Sequence, residues 1–263
     1  MSIQPNYPIV NKGELYVNGL GISWVDGTHI TIAAGQARDS TDINDISLSA
    51  SVTINTRVSA VANGIDVGNT TGNIVINTLY YVFVIGDSNS VQPTAGLLSL
   101  SATAPLLPFG YDMFRRVGAV KSDNTAAPGC LILKFAQAGN GSSRWMYYSK
   151  PINVLPSNNT HAAEYTDVDC SASVPAGYSR QLAIDVDFAA NAAADVVLLE
   201  VGPHVAGDIA AGYQQVEIIA AVAGATAHTR LPVTLPCGST SMIAFQNAAG
   251  ALVLNLNGYV DQL

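Results

Sequence analysis

Charge is what this chain of 263 residues lacks most: charged residues make up 11% of it and hydrophobic residues 49%. The usual charged share of a soluble domain is about 25%. Because Lys and Arg are particularly scarce, the net charge is -8. Nucleic-acid binding requires a basic patch, so we expect no nucleic-acid partner.

Membrane and export signals are also missing. No apolar run reaches the roughly 18 residues of a membrane span. Residues 1–7 contain neither the basic nor the apolar region of a signal peptide. We therefore expect no membrane insertion and synthesis in a reducing cytoplasm.

The sequence lacks the patterns of metal sites and catalytic centres. Cys130, Cys170 and Cys237 form no CxxC or Cys/His pattern, so we expect small buried thiols rather than a disulfide framework or a zinc site. None of the four histidines lies in a ligand motif, and no nucleophile elbow, P-loop or GxGxxG motif is present. The sequence therefore predicts a non-enzymatic protein without a cofactor.

What the chain does contain is short runs of β-branched and aromatic residues bounded by Gly, Pro, Asn and Asp, the pattern of strands and turns. In residues 46–54, Ile46, Leu48, Val52 and Ile54 alternate with polar neighbours, which predicts a strand with one buried face. No stretch shows a sustained helical period. The sequence predicts an all-β fold of two antiparallel β-sandwich or jelly-roll-like domains with few or no helices.

Turn-forming residues indicate how the chain is divided. The small polar stretch at residues 137–143 is typical of a linker or a long turn. We therefore predict an extended arm at residues 1–13, an N-terminal β domain at 14–140 and a C-terminal β-sandwich domain at 141–263. Asn18-Gly19, flanked by apolar residues, predicts a hairpin turn.

The densest group of oxygen ligands is an acidic loop that contains Asp39, Asp42 and Asp45. Calcium prefers several carboxylates and carbonyls on a flexible loop, so this loop is a candidate calcium site. The spacing of these residues does not match that of an EF-hand loop, however. A polar turn whose Asx side chains bond their own backbone is the alternative.

Asp185 and Asp187 are two apart on a predicted strand, which places both carboxylates on one face about 7 Å apart. That separation suits the carboxylate pair of a glycoside hydrolase. Two like charges on a strand face are, however, also what a simple solvated surface contains. Arg115 and Arg116, further up the chain, are expected to be surface residues or to form a salt bridge between subunits.

Trp145, Tyr147 and Tyr148 form an aromatic group that can stack on a sugar, and they are the candidate glycan-binding residues. The alternative is a core at the junction between the two predicted domains.

Three segments carry a resemblance to a known class of protein. Residues 29–48 (HITIAAGQARDSTDINDISL), residues 80–87 continuing through 104–118, and residues 167–175 resemble tail-fibre-like and other virion structural proteins of tailed bacteriophages, including head-fibre and decoration proteins. Proteins of this kind are non-enzymatic, often trimeric, and attach to the virion or to the host.

The resemblance implies a homotrimeric virion surface protein, made in the host bacterial cytoplasm and anchored to the particle by its N-terminal region. The uncharged start of the chain is expected to dock on other virion proteins of the capsid or tail as an added strand, with Ile3, Pro5, Tyr7 and Pro8 as partner-binding residues. Host surface polysaccharide is a further candidate partner. The alternatives are a capsid decoration or head-fibre protein, and then a polysaccharide hydrolase or sugar-binding module.

Overall fold

The computed structural model describes residues 16–126, 129–139, 141–158, 166–176, 179–190, 196–203, 214–219, 226–234, 241–246 and 250–263. The predicted N-terminal arm, with Ile3, Pro5, Tyr7 and Pro8, therefore lies outside the described residues. In the described part of the chain all regular secondary structure is strand, which confirms the all-β prediction. No helix in that part is long and apolar enough to cross a membrane.

The strands of the first half, in chain order, are β1 (Val17–Gly19), β2 (Ile22–Asp26), β3 (His29–Ile32), β4 (Gly35–Arg38), β5 (Asp45–Leu48), β6 (Val52–Asn55), β7 (Gly64–Ile65), β8 (Leu79–Gly86), β9 (Ala95–Ser99), β10 (Met113–Lys121) and β11 (Phe135–Ala138). Those of the second half are β12 (Ser143–Asn158), β13 (Thr166–Asp169), β14 (Ser179–Ala190), β15 (Val196–Pro203), β16 (Gln214–Ile219), β17 (Thr226–Thr234), β18 (Ser241–Gln246) and β19 (Gly250–Gln262).

The first six strands form a three-stranded antiparallel ribbon that is bent in the middle. One half is the sheet β1-β4-β5 and the other is β2-β3-β6. The pairing of Val17 with Ala37 continues across the bend as the pairing of Ile22 with Ile32, so one hairpin runs through both sheets. Ile46, Leu48 and Ile54 are buried, as their alternation predicts.

The bend lies at Gly19 and Leu20, which both have positive φ angles, 69° and 56°. Gly35 lies opposite, and a Cβ atom there would be 2.4 Å from the Asn18 carbonyl oxygen, so the two backbones can approach only because Gly35 has no side chain. The predicted Asn18-Gly19 hairpin turn is therefore wrong. The left-handed backbone at this position bends one strand between two sheets rather than reversing it.

The next sheet has the order β10-β8-β9-β7, antiparallel except for the parallel pair β7 and β9. All eight residues of β8 are buried, because both faces of the strand are covered. β9 lies in a segment that contains several Pro and Gly residues. Two prolines flank it, Pro93 before and Pro105 after, and neither interrupts its ladder.

The strands of the second half, together with β11, form a five-stranded sheet, β11-β12-β19-β14-β17, and a four-stranded sheet, β13-β18-β15-β16. The stretch at residues 137–143 joins β11 to β12 within the first of these sheets, where Phe135 pairs with Tyr148 and Ala138 with Trp145. Strands on either side of the predicted domain boundary are thus hydrogen-bonded to each other. β18 and β19 follow each other in the chain but belong to different sheets.

One hydrophobic core extends through both halves of the chain. It includes Val17 and Ile30 from the bent ribbon, Val82 from β8, and Ile184 and Leu256 from the five-stranded sheet. The inward face of the five-stranded sheet therefore packs towards the N-terminal sheets, and its outward face carries different side chains.

Candidate functional site

The candidate calcium loop forms a tight Asx turn around Asp39. Its Oδ1 accepts the backbone N–H groups of Ile43 and Asn44 at 2.9 and 3.1 Å, and its Oδ2 accepts the Thr41 hydroxyl at 2.7 Å. These hydrogen bonds lower the pKa of the carboxyl below its usual value even though its burial acts in the opposite sense. The Asp39 carboxylate thus holds the loop closed.

The other two carboxylates of that loop face Arg38. Asp42 and Asp45 lie 3.5 and 3.4 Å from its guanidinium, and the Tyr16 hydroxyl donates to Asp45 at 3.0 Å. Among the residues that the structure describes, no three His, Cys, Asp or Glu side chains converge as a metal site would require. The geometry corresponds to the polar-turn alternative.

Cys130 and Cys170 are buried and unpaired, as expected for small core residues, whereas Cys237 lies outside the described residues. Burial raises the pKa of the Cys170 thiol to about 12, so this group stays protonated and unreactive at neutral pH.

The aromatic group at the start of β12 is divided between the two faces of the sheet. Trp145 and Tyr147 share the outward face, where their rings stack with centroids 5.4 Å apart and planes 11° apart. Tyr148 points inward and donates its hydroxyl to the Ser173 carbonyl oxygen at 2.7 Å. The surface aromatic unit is therefore the pair Trp145–Tyr147, because successive side chains of a strand point to opposite faces.

A row of polar side chains lies on the same outward face, two strands away from the aromatic pair. The Arg230 guanidinium donates to Asp185 through Nε at 2.6 Å and through Nη2 at 3.1 Å. Asp187 lies 2.5 Å from Nδ1 of His228 and accepts the Asn255 amide at 3.0 Å. Both of the candidate catalytic aspartates are thus held in ion pairs or amide contacts.

Small residues separate the aromatic pair from the polar row. Tyr147 pairs with Gly258 of β19, and Gly258 pairs with Ala183 of β14. Across these small residues Tyr147 is close enough to contribute to the electrostatic environment of Arg230. The outward face therefore presents an aromatic surface and hydrogen-bonding groups side by side. We call these residues (Trp145, Tyr147, Asp185, Asp187, His228, Arg230 and Asn255) the outward patch.

The electrostatics of Asp185 differ from those of an acid catalyst. The hydrogen bond from Arg230 lowers the pKa of the Asp185 carboxyl. A glycosidase general acid requires the opposite shift, because it must hold a proton near neutral pH. Asp185 is instead a permanent acceptor for hydroxyl or amide donors.

The inward face carries a buried polar cluster that the sequence did not reveal. The Arg116 Nη1 atom lies 2.9 and 3.0 Å from the two oxygens of Asp261, and Arg116 also donates to the Gln262 carbonyl oxygen. Burial raises the pKa of the Asp261 carboxyl, and the Arg116 charge opposes that shift. Arg116 is thus buried within the chain, so the expectation of a surface residue is wrong, since β10 packs this side chain against the end of β19.

Three more buried side chains join the two halves. Arg144 donates to the Leu20 carbonyl oxygen at 2.9 Å, at the bend of the ribbon. The Lys121 ammonium donates to the Ala172 carbonyl oxygen at 2.7 Å, and the Tyr259 hydroxyl donates to that of Ala119 at 3.3 Å. These polar contacts hold the second half of the chain in a defined position against the N-terminal sheets.

No family model and no curated protein matches the chain. Among solved structures it has low similarity to an Arthrobacter globiformis T6 isomalto-dextranase complexed with panose (TM-score 0.24, 14% identity, 91% of this chain and 35% of that one). Two others are a Bacillus thuringiensis Cry1Da tryptic core variant (TM-score 0.26, 7% identity, 92% and 50%) and infectious bursal disease virus strain Gx (TM-score 0.25, 11% identity, 97% and 68%). The chain spans half or less of the first two structures. At such TM-scores the similarity does not indicate a function.

Proposed function

We propose that this chain is a non-enzymatic attachment protein on the virion surface of a tailed bacteriophage. It acts as a homotrimer, its N-terminal region docks on other virion proteins of the capsid or tail, and its outward patch binds a host surface polysaccharide. The sequence resemblance supports the virion assignment, and the low charge content supports an assembly that buries surface between subunits.

The observation that carries the binding role is the stack of Trp145 and Tyr147 beside the Asp185–Arg230 pair. A sugar ring has an apolar face, which stacks on an aromatic ring, and a rim of hydroxyl groups, which need donors and acceptors. The carboxylate of Asp185 accepts, Arg230 donates, and the Asn255 amide does both. The outward patch thus meets both requirements of a sugar on one face of the sheet.

The charge state of the outward patch favours binding over hydrolysis. Both carboxylates are paired, and the pKa of Asp185 is lowered. Asp185 is therefore not poised to protonate a leaving glycosidic oxygen.

The test is binding of the purified protein to host surface polysaccharide, measured by isothermal titration or on a glycan array. Trp145→Ala and Tyr147→Ala should each weaken binding by roughly tenfold, because one stacking contact contributes about 1–2 kcal/mol. Tyr16→Ala is the matched control, since it removes a partly exposed ring from the N-terminal ribbon and should leave affinity unchanged.

Undiminished affinity in the Trp145 and Tyr147 variants would contradict the assignment of the patch. Release of oligosaccharides from the polysaccharide would contradict the non-enzymatic role. The number of copies per virus particle distinguishes the two virion roles. A decoration protein must cover a capsid lattice and is present in many copies, whereas a tail attachment protein is present in few.

A further inference from the structure

A cavity of about 340 Å³ lies where the two halves of the chain meet beside β12. β11 pairs only with residues 145–148 of β12, so the next part of that strand has a free edge. Residues 150–153 of β12 line one side of the cavity, and Asn77 with residues 121–124 lines the other. The volume lies at the lower end of the range of about 300–1,000 Å³ for small-molecule sites, which suits a single small polar group.

Lys121 brings a buried positive charge to this cavity. Lys121 is 3% exposed, and its ammonium donates to two uncharged acceptors, the carbonyl oxygens of Ala172 at 2.7 Å and Asn77 at 3.4 Å. No carboxylate of the described residues contributes to its pKa, which desolvation alone lowers to about 8. Buried charges in proteins are normally paired with an opposite charge. The structure thus holds a buried cation whose counter-charge a ligand can supply.

The charged residues that line the cavity are Lys121, Lys150 and Asp123, so two positive charges and one negative charge leave a net charge of +1. This local excess has the opposite sign to the net charge of the chain, -8. Asp123 is engaged in its own turn, where its carboxylate accepts the N–H groups of Thr125 and Leu131 at 3.1 and 3.0 Å. A net charge of one matches a single carboxylate better than a phosphate group, which carries up to about two negative charges.

The cavity adjoins the outward patch. Asn153 lines the cavity, and its amide donates to Oδ1 of Asn255, a member of the patch, at 3.4 Å. Asn255 lies three residues along β19 from Gly258, the partner of Tyr147, which corresponds to about 10 Å. An extended chain of a few sugar units can therefore reach both the aromatic pair and the cavity.

We propose that this cavity, which we call the lysine pocket (Asn77, residues 121–124 and residues 150–153), binds the carboxylate of an acidic sugar, with Lys121 as its counter-charge. Lys150 provides a second cation, and the exposed amides of Asn124 and Asn153 offer donors and acceptors to the sugar hydroxyls. The inference rests on the proposed function where it names a polysaccharide as the carrier of that sugar. It specifies the class of polysaccharide as one that contains uronic acid units.

The first test titrates the purified chain with glucuronate, glucose or inorganic phosphate by isothermal titration. Glucuronate should bind at least about tenfold more tightly than glucose, which lacks the carboxylate, and more tightly than phosphate. Lys121→Met should weaken glucuronate binding by about tenfold to a hundredfold, because it removes a buried charge-assisted hydrogen bond. Equal affinity for glucuronate and glucose, or tighter binding of phosphate, would overturn the proposal.

Two further lysine variants complete this test. Lys150→Met should weaken glucuronate binding by about twofold to fivefold, and because Lys150 is exposed this loss cannot arise from unfolding. Lys134→Met is the matched control. The Lys134 ammonium lies over the Trp24 ring, 5.3 Å from its centroid, and Lys134 does not line the lysine pocket. Its removal should change the affinity by less than about twofold, since the charge is screened. Equal losses in Lys134→Met and Lys121→Met would contradict a specific pocket.

A second readout follows the proton of Lys121. At pH 8 about half of the Lys121 side chains are charged, and a bound carboxylate favours the charged form. Glucuronate binding at that pH should therefore take up as much as about half a proton, measured by titration in two buffers of different ionisation enthalpy. Comparison with Lys121→Met isolates this proton from those of Lys150 and Asp123. The same uptake in both proteins would overturn the role of Lys121.

Trp145→Ala separates this inference from the proposed function. Trp145 lies outside the lysine pocket, so the variant should keep its affinity for glucuronate while its affinity for polysaccharide falls. If polysaccharide binding does not depend on Trp145 while glucuronate binding depends on Lys121, the outward patch is wrongly assigned and the lysine pocket stands. If glucuronate binding does not depend on Lys121, the lysine pocket alone is overturned.

Discussion

The inward and outward faces of the five-stranded sheet each carry an arginine–aspartate pair, in opposite surroundings. The Arg116 and Asp261 side chains are 6% and 0% exposed, whereas those of Arg230 and Asp185 are 64% and 27% exposed. The inward pair is almost completely buried, although the Arg116 side chain also lines a cavity. The outward pair is accessible to water and ligands, so the same chemistry determines structure on one face and is available for recognition on the other.

We expect the largest effect on stability when the inward pair, Arg116 and Asp261, is broken. Arg116→Met should lower the free energy of unfolding by about 3–5 kcal/mol, because it leaves Asp261 buried without its hydrogen-bonded counter-charge. Urea unfolding measures the change. Asp185→Asn, which breaks the outward pair, should cost only about 0–1 kcal/mol. Equal losses in the two variants would contradict the contrast between the faces.

Lys121, buried at the junction of the two halves, predicts a pH dependence of stability. Desolvation lowers the pKa of its ammonium group from 10.5 to about 8. Between pH 8 and pH 10.5 the unfolded chain therefore binds this proton more tightly than the folded chain, and stability rises with pH. Relative to Lys121→Met, the parent chain should gain up to about 3 kcal/mol across that window.

Comparison with Lys121→Met removes the contribution of other groups that titrate in both proteins. The measurement is urea unfolding of the two proteins at several pH values. A difference in stability that does not change between pH 8 and pH 10.5 would contradict the burial of a charged Lys121.

The smallest effect concerns two neighbouring tyrosines on opposite faces. Tyr148→Phe removes a buried hydroxyl that donates to the Ser173 carbonyl and should cost about 1–2 kcal/mol. Tyr147→Phe removes an exposed hydroxyl and should change stability by less than about 0.5 kcal/mol. Thermal unfolding of both variants measures the two losses of stability. A larger loss in Tyr147→Phe would reverse the assignment of faces.

The sequence predicted strand structure best where apolar and polar residues alternate along one short segment. The run at residues 46–54 has the burial that its period of two predicts, although residues 49–51 divide it into β5 and β6. Residues two apart in a strand lie on the same face, so Trp145 and Tyr147 share one face and Tyr148 lies on the other. The outward aromatic pair could therefore be predicted from the strand pattern alone.

Contacts between distant segments could not be predicted in this way. Nothing near Arg116 in the chain indicates that Asp261 will neutralise it, and a charged residue is by default expected at the surface. The Asn18-Gly19 turn failed for a related reason. Its left-handed backbone is a local property, but whether the chain there reverses or passes into a second sheet depends on the strands that pair with it.

The separation between Arg116 and Asp261 also has a consequence for synthesis. Their side chains lie 145 residues apart in sequence. At a bacterial translation rate of ~5–20 residues per second, the ribosome adds Asp261 roughly 7 to 30 seconds after it has added Arg116. During that interval β10 cannot bury its arginine with a counter-charge. The N-terminal sheets of a nascent chain should therefore remain loosely packed until β19 has left the ribosome.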